Sequence, residues 1–189
     1  MKQKDVIKAG SGWIDKSPLE FQGSPFQRIG RDWLLITAGD VSRDKGNWNT
    51  MTASWAGLGV LWAKNAAFLF IRPSRHTYGF AESSSLLTMS FFDESKRDAL
   101  NLCGKKSGRD TDKAAEAGLT PVVFDDGPFA GAIGFNEARE VLIGRKMYFT
   151  DVDPKNFLDS SIAHHYSGGD YHRVFVVELL GLKSRSLPA

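Results

Sequence analysis

Short blocks of hydrophobic residues, cut by polar turn formers, dominate the first half of the chain. Trp33 to Ala38, Thr50 to Trp55, Ala67 to Arg72 and Leu86 to Phe92 are rich in aliphatic, aromatic and threonine residues, and Gly, Asp, Asn or Pro separates them. That pattern predicts consecutive β-strands. Helical spacing surfaces only briefly, at His76 to Ser83, at Glu94 to Cys103, where Ala99, Leu100 and Cys103 share a face, and at Asp112 to Ala117. The second half returns to strand, with Glu137 to Phe149 as one long or bent strand and Tyr171 to Leu180 as the last.

Strands outnumber helices and few βα alternations exist, so the expected fold is mainly β: a small antiparallel barrel with a few peripheral α-helices. The sequence shows no repeat, low-complexity segment or linker, which predicts a single domain over residues 1–189. Two runs depart from the alternation of a half-wet strand: Ala66 to Ile71 is apolar at six successive positions and Val174 to Val177 at four. Both faces of those strands need cover. The barrel's own helices could give it, but a second subunit is at least as economical, and a homodimer is expected.

Composition narrows the class. The 189 residues are 42% hydrophobic, enough for a core of ordinary size, and the single cysteine, Cys103, cannot form an intrachain disulfide. A reducing compartment, the cytoplasm, follows as the expectation. No apolar stretch of signal-peptide length follows Lys2, Lys4 and Lys8, and the longest apolar runs are too short to span a bilayer, so neither export nor a membrane partner is expected. With 24 basic and 22 acidic residues, the net charge of +2 gives no dominant field of one sign, and no nucleic-acid partner is indicated. The local excess at Lys105, Lys106 and Arg109 fits a solvated loop or a patch that meets an anionic cofactor.

Several common chemistries lack their motifs. There is no Gly-x-Gly-x-x-Gly after a strand, no Gly-x-Ser-x-Gly elbow, and Gly104-Lys105-Lys106-Ser107 lacks the earlier glycine of a Walker loop. Cys103 without a partner histidine is expected to be a small buried hydrophobe. Asp159, His164, His165 and Asp170 are conceivable metal ligands, but adjacent histidines should point apart, so no metal site is expected. Trp48, Trp55 and Trp62 recur every seven residues, yet Thr50, Thr52, Gly57 and Gly59 make a helix poor there. The tryptophans are expected to be core first, with one of them able to border a flat ligand.

Two clusters carry positive suggestions. Asn49 to Trp55 combines small and hydroxyl-bearing residues, followed by Gly57-Leu58-Gly59; such a strand edge can offer amides and hydroxyls to a flat polar ring, or be an ordinary barrel strand. Arg72, Ser74, Arg75 and Thr77 gather where a strand gives way to a helix, and cations in a first helical turn are disfavoured by its dipole. A bound phosphate would resolve the conflict. An arginine paired with Glu82 or another surface carboxylate would serve equally.

These segments together resemble the flavin reductase-like family, whose members share an FMN-binding split β-barrel, a Greek-key-like antiparallel barrel, and include NAD(P)H:flavin oxidoreductases and flavoredoxins. The resemblance runs from Asn49–Trp55 through Ile71-Arg72-Pro73-Ser74-Arg75-His76-Thr77-Tyr78, Leu87 to Phe92 and Ser107-Gly108-Arg109-Asp110-Thr111-Asp112-Lys113 to Gly169-Asp170-Tyr171-His172. It implies non-covalent FMN, with Asn49, Thr50, Met51, Thr52, Ala53 and Ser54 along the isoalloxazine and ribityl chain. Arg72, Arg75, Thr77 and Tyr78 would hold the phosphate, and Ser107 with its neighbours would close over the cofactor. His172 matches the histidine that many relatives carry after Gly-Asp, although Tyr171 intervenes; it is a catalytic candidate beside a structural role. The implied activity is hydride transfer from NADH or NADPH to the flavin, which then serves an unidentified electron acceptor. A flavoredoxin-type electron carrier with little nicotinamide activity is the alternative, and a non-enzymatic flavin-binding module a third.

Overall fold

A computed structural model describes residues 5–42, 44 and 46–185, so Lys2 and Lys4 lie outside the described residues. In chain order the elements are β1 (Ile7–Lys8), β2 (Trp13–Lys16), α1 (Pro25–Gly30), β3 (Leu34–Gly39), β4 (Trp48–Ala53), β5 (Ala56–Leu61) and β6 (Lys64–Ile71). There follow α2 (Thr77–Ser83), β7 (Leu86–Phe91), α3 (Arg97–Lys105), α4 (Lys113–Glu116), β8 (Pro121–Phe124), β9 (Ala132–Phe135), β10 (Glu140–Asp151) and β11 (Arg173–Arg185). The main sheet runs β4-β3-β7-β10-β11-β6-β5, antiparallel at every pairing, and β2 joins the far half of β11. A small sheet, β1-β8-β9, packs beside it. The molecule is mainly β, as the alternating blocks predict.

Continuous apolar runs arise because several strands have two dry faces. In β3, Leu34, Ile36 and Ala38 enter one core with Met51, Leu69, Leu87, Phe175 and Leu142, while Leu35 enters another with Trp48, Leu100, Phe124 and Phe135. Strand alternation puts neighbouring residues on opposite faces, so the first cluster fills the barrel and the second joins it to α3 and the small sheet. Trp48 is fully buried, and Gly39 makes room: a Cβ at Gly39 would lie 2.3 Å from the Trp48 Cβ.

The structure moves several expected boundaries. Gly57-Leu58-Gly59, expected to follow a strand, is itself inside β5, where the Phe68 ring on β6 lies over Gly57 and supplies the cover that glycine lacks. The strand expected from Glu137 begins at Glu140, because Ala138 closes a turn by donating its amide to the Phe135 carbonyl. β11 starts two residues after Tyr171 and continues to Arg185, its polar end held by pairing with β2. Of the three spaced tryptophans only Trp48 is core; Trp55 is 42% and Trp62 57% exposed.

Candidate functional site

β4 and β6 end side by side with the turn into α2, and two adjoining cavities open there. The smaller, about 140 Å³, is lined by the β4 edge from Met51 through Trp55, by Phe70, and by Arg72, Arg75 and His172. The larger, about 420 Å³, shares Met51, Arg72 and Arg75 and continues past Thr77 to Lys105, Ser107, Arg109, Lys113 and Asp170. Strand parity sets which β4 residues face which way. Met51 and Ala53 share the barrel-core side, whereas the Thr52 hydroxyl donates to the Leu100 carbonyl of α3 at 2.5 Å.

Asn49 and Thr50 line neither cavity. Thr50 is fully buried; its hydroxyl lies 2.9 Å from the Thr37 hydroxyl and donates to the Ile36 carbonyl at 3.1 Å. Asn49, also fully buried, donates its side-chain amide to Thr77 Oγ1 at 2.8 Å, which ties β4 to the first residue of α2. Tyr78 too lies outside both cavities, beside Phe175 and under the Arg173 guanidinium. Arg173 takes Glu82 and Asp151 as its carboxylates, so the carboxylate foreseen for Arg72 or Arg75 belongs to another arginine.

The cations of the larger cavity are held in an unusual way. Arg72 donates to the His165 carbonyl at 2.8 Å, Arg75 to the Gly104 carbonyl at 2.9 Å, Arg109 to the Ser74 carbonyl at 3.3 Å and Lys113 to the Cys103 carbonyl at 3.1 Å. Among the described residues none of the four ends on a carboxylate. Lys113 is only 3% exposed, and burial pulls its ammonium down to about 8, so it still carries charge at neutral pH. The carboxylate of Asp170 accepts from the Ser74 amide and hydroxyl. Main-chain dipoles orient these cations without neutralising them, an arrangement chemically suited to receive an anion.

The smaller cavity is aromatic. Trp55 packs against His165 at 5.1 Å and His172 at 5.2 Å between ring centroids. His172 is buried, and its Nδ1 lies 2.8 Å from the Tyr166 hydroxyl; burial first, and the Arg72 charge second, push its imidazole down to about 4. It is neutral at pH 7. His164 and His165 do not diverge as expected, their rings lying 3.8 Å apart, but among the described residues no three His, Cys, Asp or Glu side chains form a metal-holding group. Cys103 is buried, which drives its thiol up to about 11 and makes it a poor nucleophile.

Solved structures share this arrangement of strands. Flavoredoxin of Desulfovibrio vulgaris (Miyazaki F) superposes with a TM-score of 0.61 at 19% identity, over 88% of this chain and 78% of that one. Nitrilotriacetate monooxygenase component B from Bacillus cereus gives 0.60 at 14%, over 89% and 80%. The FMN-binding domain of a flavin reductase-like enzyme from Shewanella baltica gives 0.57 at 14%, over 85% and 72%. This chain has the flavin reductase-like split-barrel fold. No family model matches its sequence, and no curated protein matches it.

Within this split barrel, sequence reasoning missed Phe70 and Lys113 as a buried cation, and it left open which tryptophan would border the site; Trp55 is the one that lines the cavity. Phe70 looked like one more member of an apolar run, though its outward parity on β6 brings it to the cavity. Lys113 had a signal in Asp112-Lys113, since Asp112 caps α4 by accepting from the Ala115 amide and thereby fixes the lysine at the first helical position. Nothing in the sequence marked that position as buried. Among the described residues no helix is long and apolar enough to cross a membrane.

Proposed function

We propose that this split barrel binds FMN without a covalent bond and works as an NAD(P)H-dependent flavin reductase. The observation that carries the reading is the set of cavity cations that, among the described residues, donate to main-chain carbonyls and form no ion pair with a carboxylate, adjoining a strand edge able to take a flat ring. Arg72, Arg75 and Lys113 would take the phosphate, with Thr77 held in place by Asn49. Met51 to Ser54 would run along the isoalloxazine and ribityl chain, Trp55 and His172 would flank the ring, and Ser107 would cover the phosphate end. Bound flavin would supply the two-electron chemistry, and the chain would supply position and charge. Neutral His172 adds no like charge beside Arg72 and can offer a hydrogen bond from the ring nitrogen that Tyr166 does not occupy.

The size of the smaller cavity, about 140 Å³, favours a second reading as a flavoredoxin-type electron carrier, since it leaves little space for a nicotinamide beside a flavin ring. Anaerobic stopped-flow mixing of the FMN-loaded protein with NADH and with NADPH separates the two. Bleaching of the flavin band within seconds supports the reductase; bleaching that takes many minutes with both nucleotides removes it. The proposal includes a homodimer in the cytoplasm, supported by the exposed aromatic side chains and the lone reduced cysteine.

A further inference from the structure

The larger cavity holds more positive charge than a phosphate monoester requires. Arg72, Arg75, Lys105, Arg109 and Lys113 line it, and the carboxylate on its wall, Asp170, is engaged by Ser74. A phosphate monoester brings a charge of about −2 at neutral pH. Lys106, also on the wall, is neutralised by Glu116 and does not enter the balance. Asp110, close enough to His76 to oppose the effect of Arg109 and Lys113 on its imidazole, offsets one further charge.

The charges also fall into two groups. Arg72 and Arg75 stand at the junction with the smaller cavity, which both of them line, and buried Lys113 lies close enough to Arg75 for the guanidinium charge to help lower its pKa. Lys105 and Arg109 are exposed, flank the loop that follows α3, and do not reach the smaller cavity. The cavity's volume of about 420 Å³ leaves room for more than one phosphate group, and the Lys105 ammonium has no hydrogen-bond or ion-pair partner among the described residues.

We infer that Lys105 and Arg109 form a second phosphate subsite beside the one assigned to the flavin phosphate, so that the site selects a ligand carrying an additional phosphate. The inference rests on the proposed reading of the first subsite. Two ligands could bring the second group: a flavin dinucleotide, through its adenylate phosphate, or a nicotinamide dinucleotide that bears a 2′-phosphate. Both meet the same two side chains with the same chemistry, a guanidinium able to make paired contacts and a mobile ammonium.

The test compares riboflavin, FMN, FAD, NADH and NADPH as ligands of the wild-type protein and of a Lys105→Gln, Arg109→Gln double variant, by titration at low salt. Both residues are exposed and outside the cores, so the variant should fold. A loss of about tenfold or more for FAD with FMN little changed supports the subsite and names the flavin dinucleotide as its occupant. A loss confined to NADPH relative to NADH supports it and names the 2′-phosphate. Equal changes for all ligands, or no change for any, overturn the second subsite while leaving FMN above riboflavin. Equal wild-type affinity for FMN and riboflavin overturns the first subsite and this one together.

Discussion

The six residues from Asn49 to Ser54 show how far single positions could be read. A family pattern carries them as a block along a ring, but a strand alternates, and the fold divides the block: Met51 to Ser54 reach a cavity while Thr50 turns to Thr37 and Asn49 to Thr77. Thr50→Val should therefore lower apoprotein stability by about 1 to 3 kcal/mol, because the Thr37 hydroxyl loses a buried partner, and leave FMN affinity unchanged. Thermal unfolding beside an FMN titration checks it; a selective loss of FMN binding would place Thr50 at the ligand. Arg75→Ala should do the reverse. Its guanidinium lines both cavities and touches a single carbonyl, so FMN affinity should fall tenfold to a hundredfold, about 1.5 to 3 kcal/mol, with riboflavin affinity and apoprotein stability nearly unaltered. His172 gives a pH signature. Its folded value of about 4 lies below the ordinary 6.5, so between those limits the unfolded chain binds a proton that the folded chain does not, and stability falls as the pH drops through that window. His172→Asn should flatten that part of the stability profile, measured by denaturant unfolding at pH 4 to 7; an unchanged slope would mean that His172 is protonated in the fold.

At the scale of elements, β3, β4, β6 and β7 were legible because β-branched, aromatic and threonine residues fill them and turn formers bound them. β5 was not, for two physical reasons. Gly57 and Gly59 remove the side chains that announce a strand, and the turn that pairs β5 with β6 carries no Asn or Gly. Leu61 pairs with Lys64, so Trp62 and Ala63 are the two central residues, and both are left-handed, with φ of 52° and 56°. That is the backbone of the hairpin turn in which Asn-Gly is preferred, and side chains with a Cβ cost about 1 to 2 kcal/mol per residue there. Ala63→Gly should stabilise the fold by roughly 0.5 to 1 kcal/mol after the added freedom of the unfolded chain is subtracted. Thermal denaturation reads the gain; a loss of stability would show that the hairpin does not govern the fold's resistance to heat. The short strands β1, β2, β8 and β9 were illegible because two to four residues cannot establish a period, and pairing alone makes them strands.

At the scale of the whole molecule, the apolar run on β6 is only partly explained by the barrel. Ala67, Leu69 and Ile71 enter the core, but Phe68 and Phe70 remain half-buried on the outer face. On the same face Tyr148, aligned through Val176 with Phe68, is half exposed, and Trp62, 57% exposed in the turn between β5 and β6, meets it at 5.8 Å between centroids. Large aromatic side chains left in water are an unfavourable surface for a monomer, and rings of this size bring about 150 to 250 Å² each to a contact. A stable interface needs roughly 800 Å² per partner, of which these rings would form the apolar centre and their polar neighbours the remainder. The chain should therefore sediment at twice its 20.9 kDa mass at micromolar concentration. Trp62→Asp places a charge beside Tyr148 on that surface while leaving both cavities intact, so it should produce the monomer with its apoprotein fold retained. Circular dichroism alongside sedimentation distinguishes dissociation from unfolding. A wild-type protein that remains a monomer, or a Trp62→Asp variant that remains a folded dimer, would assign this surface another role, since a charge buried at a true interface could not be tolerated without a partner.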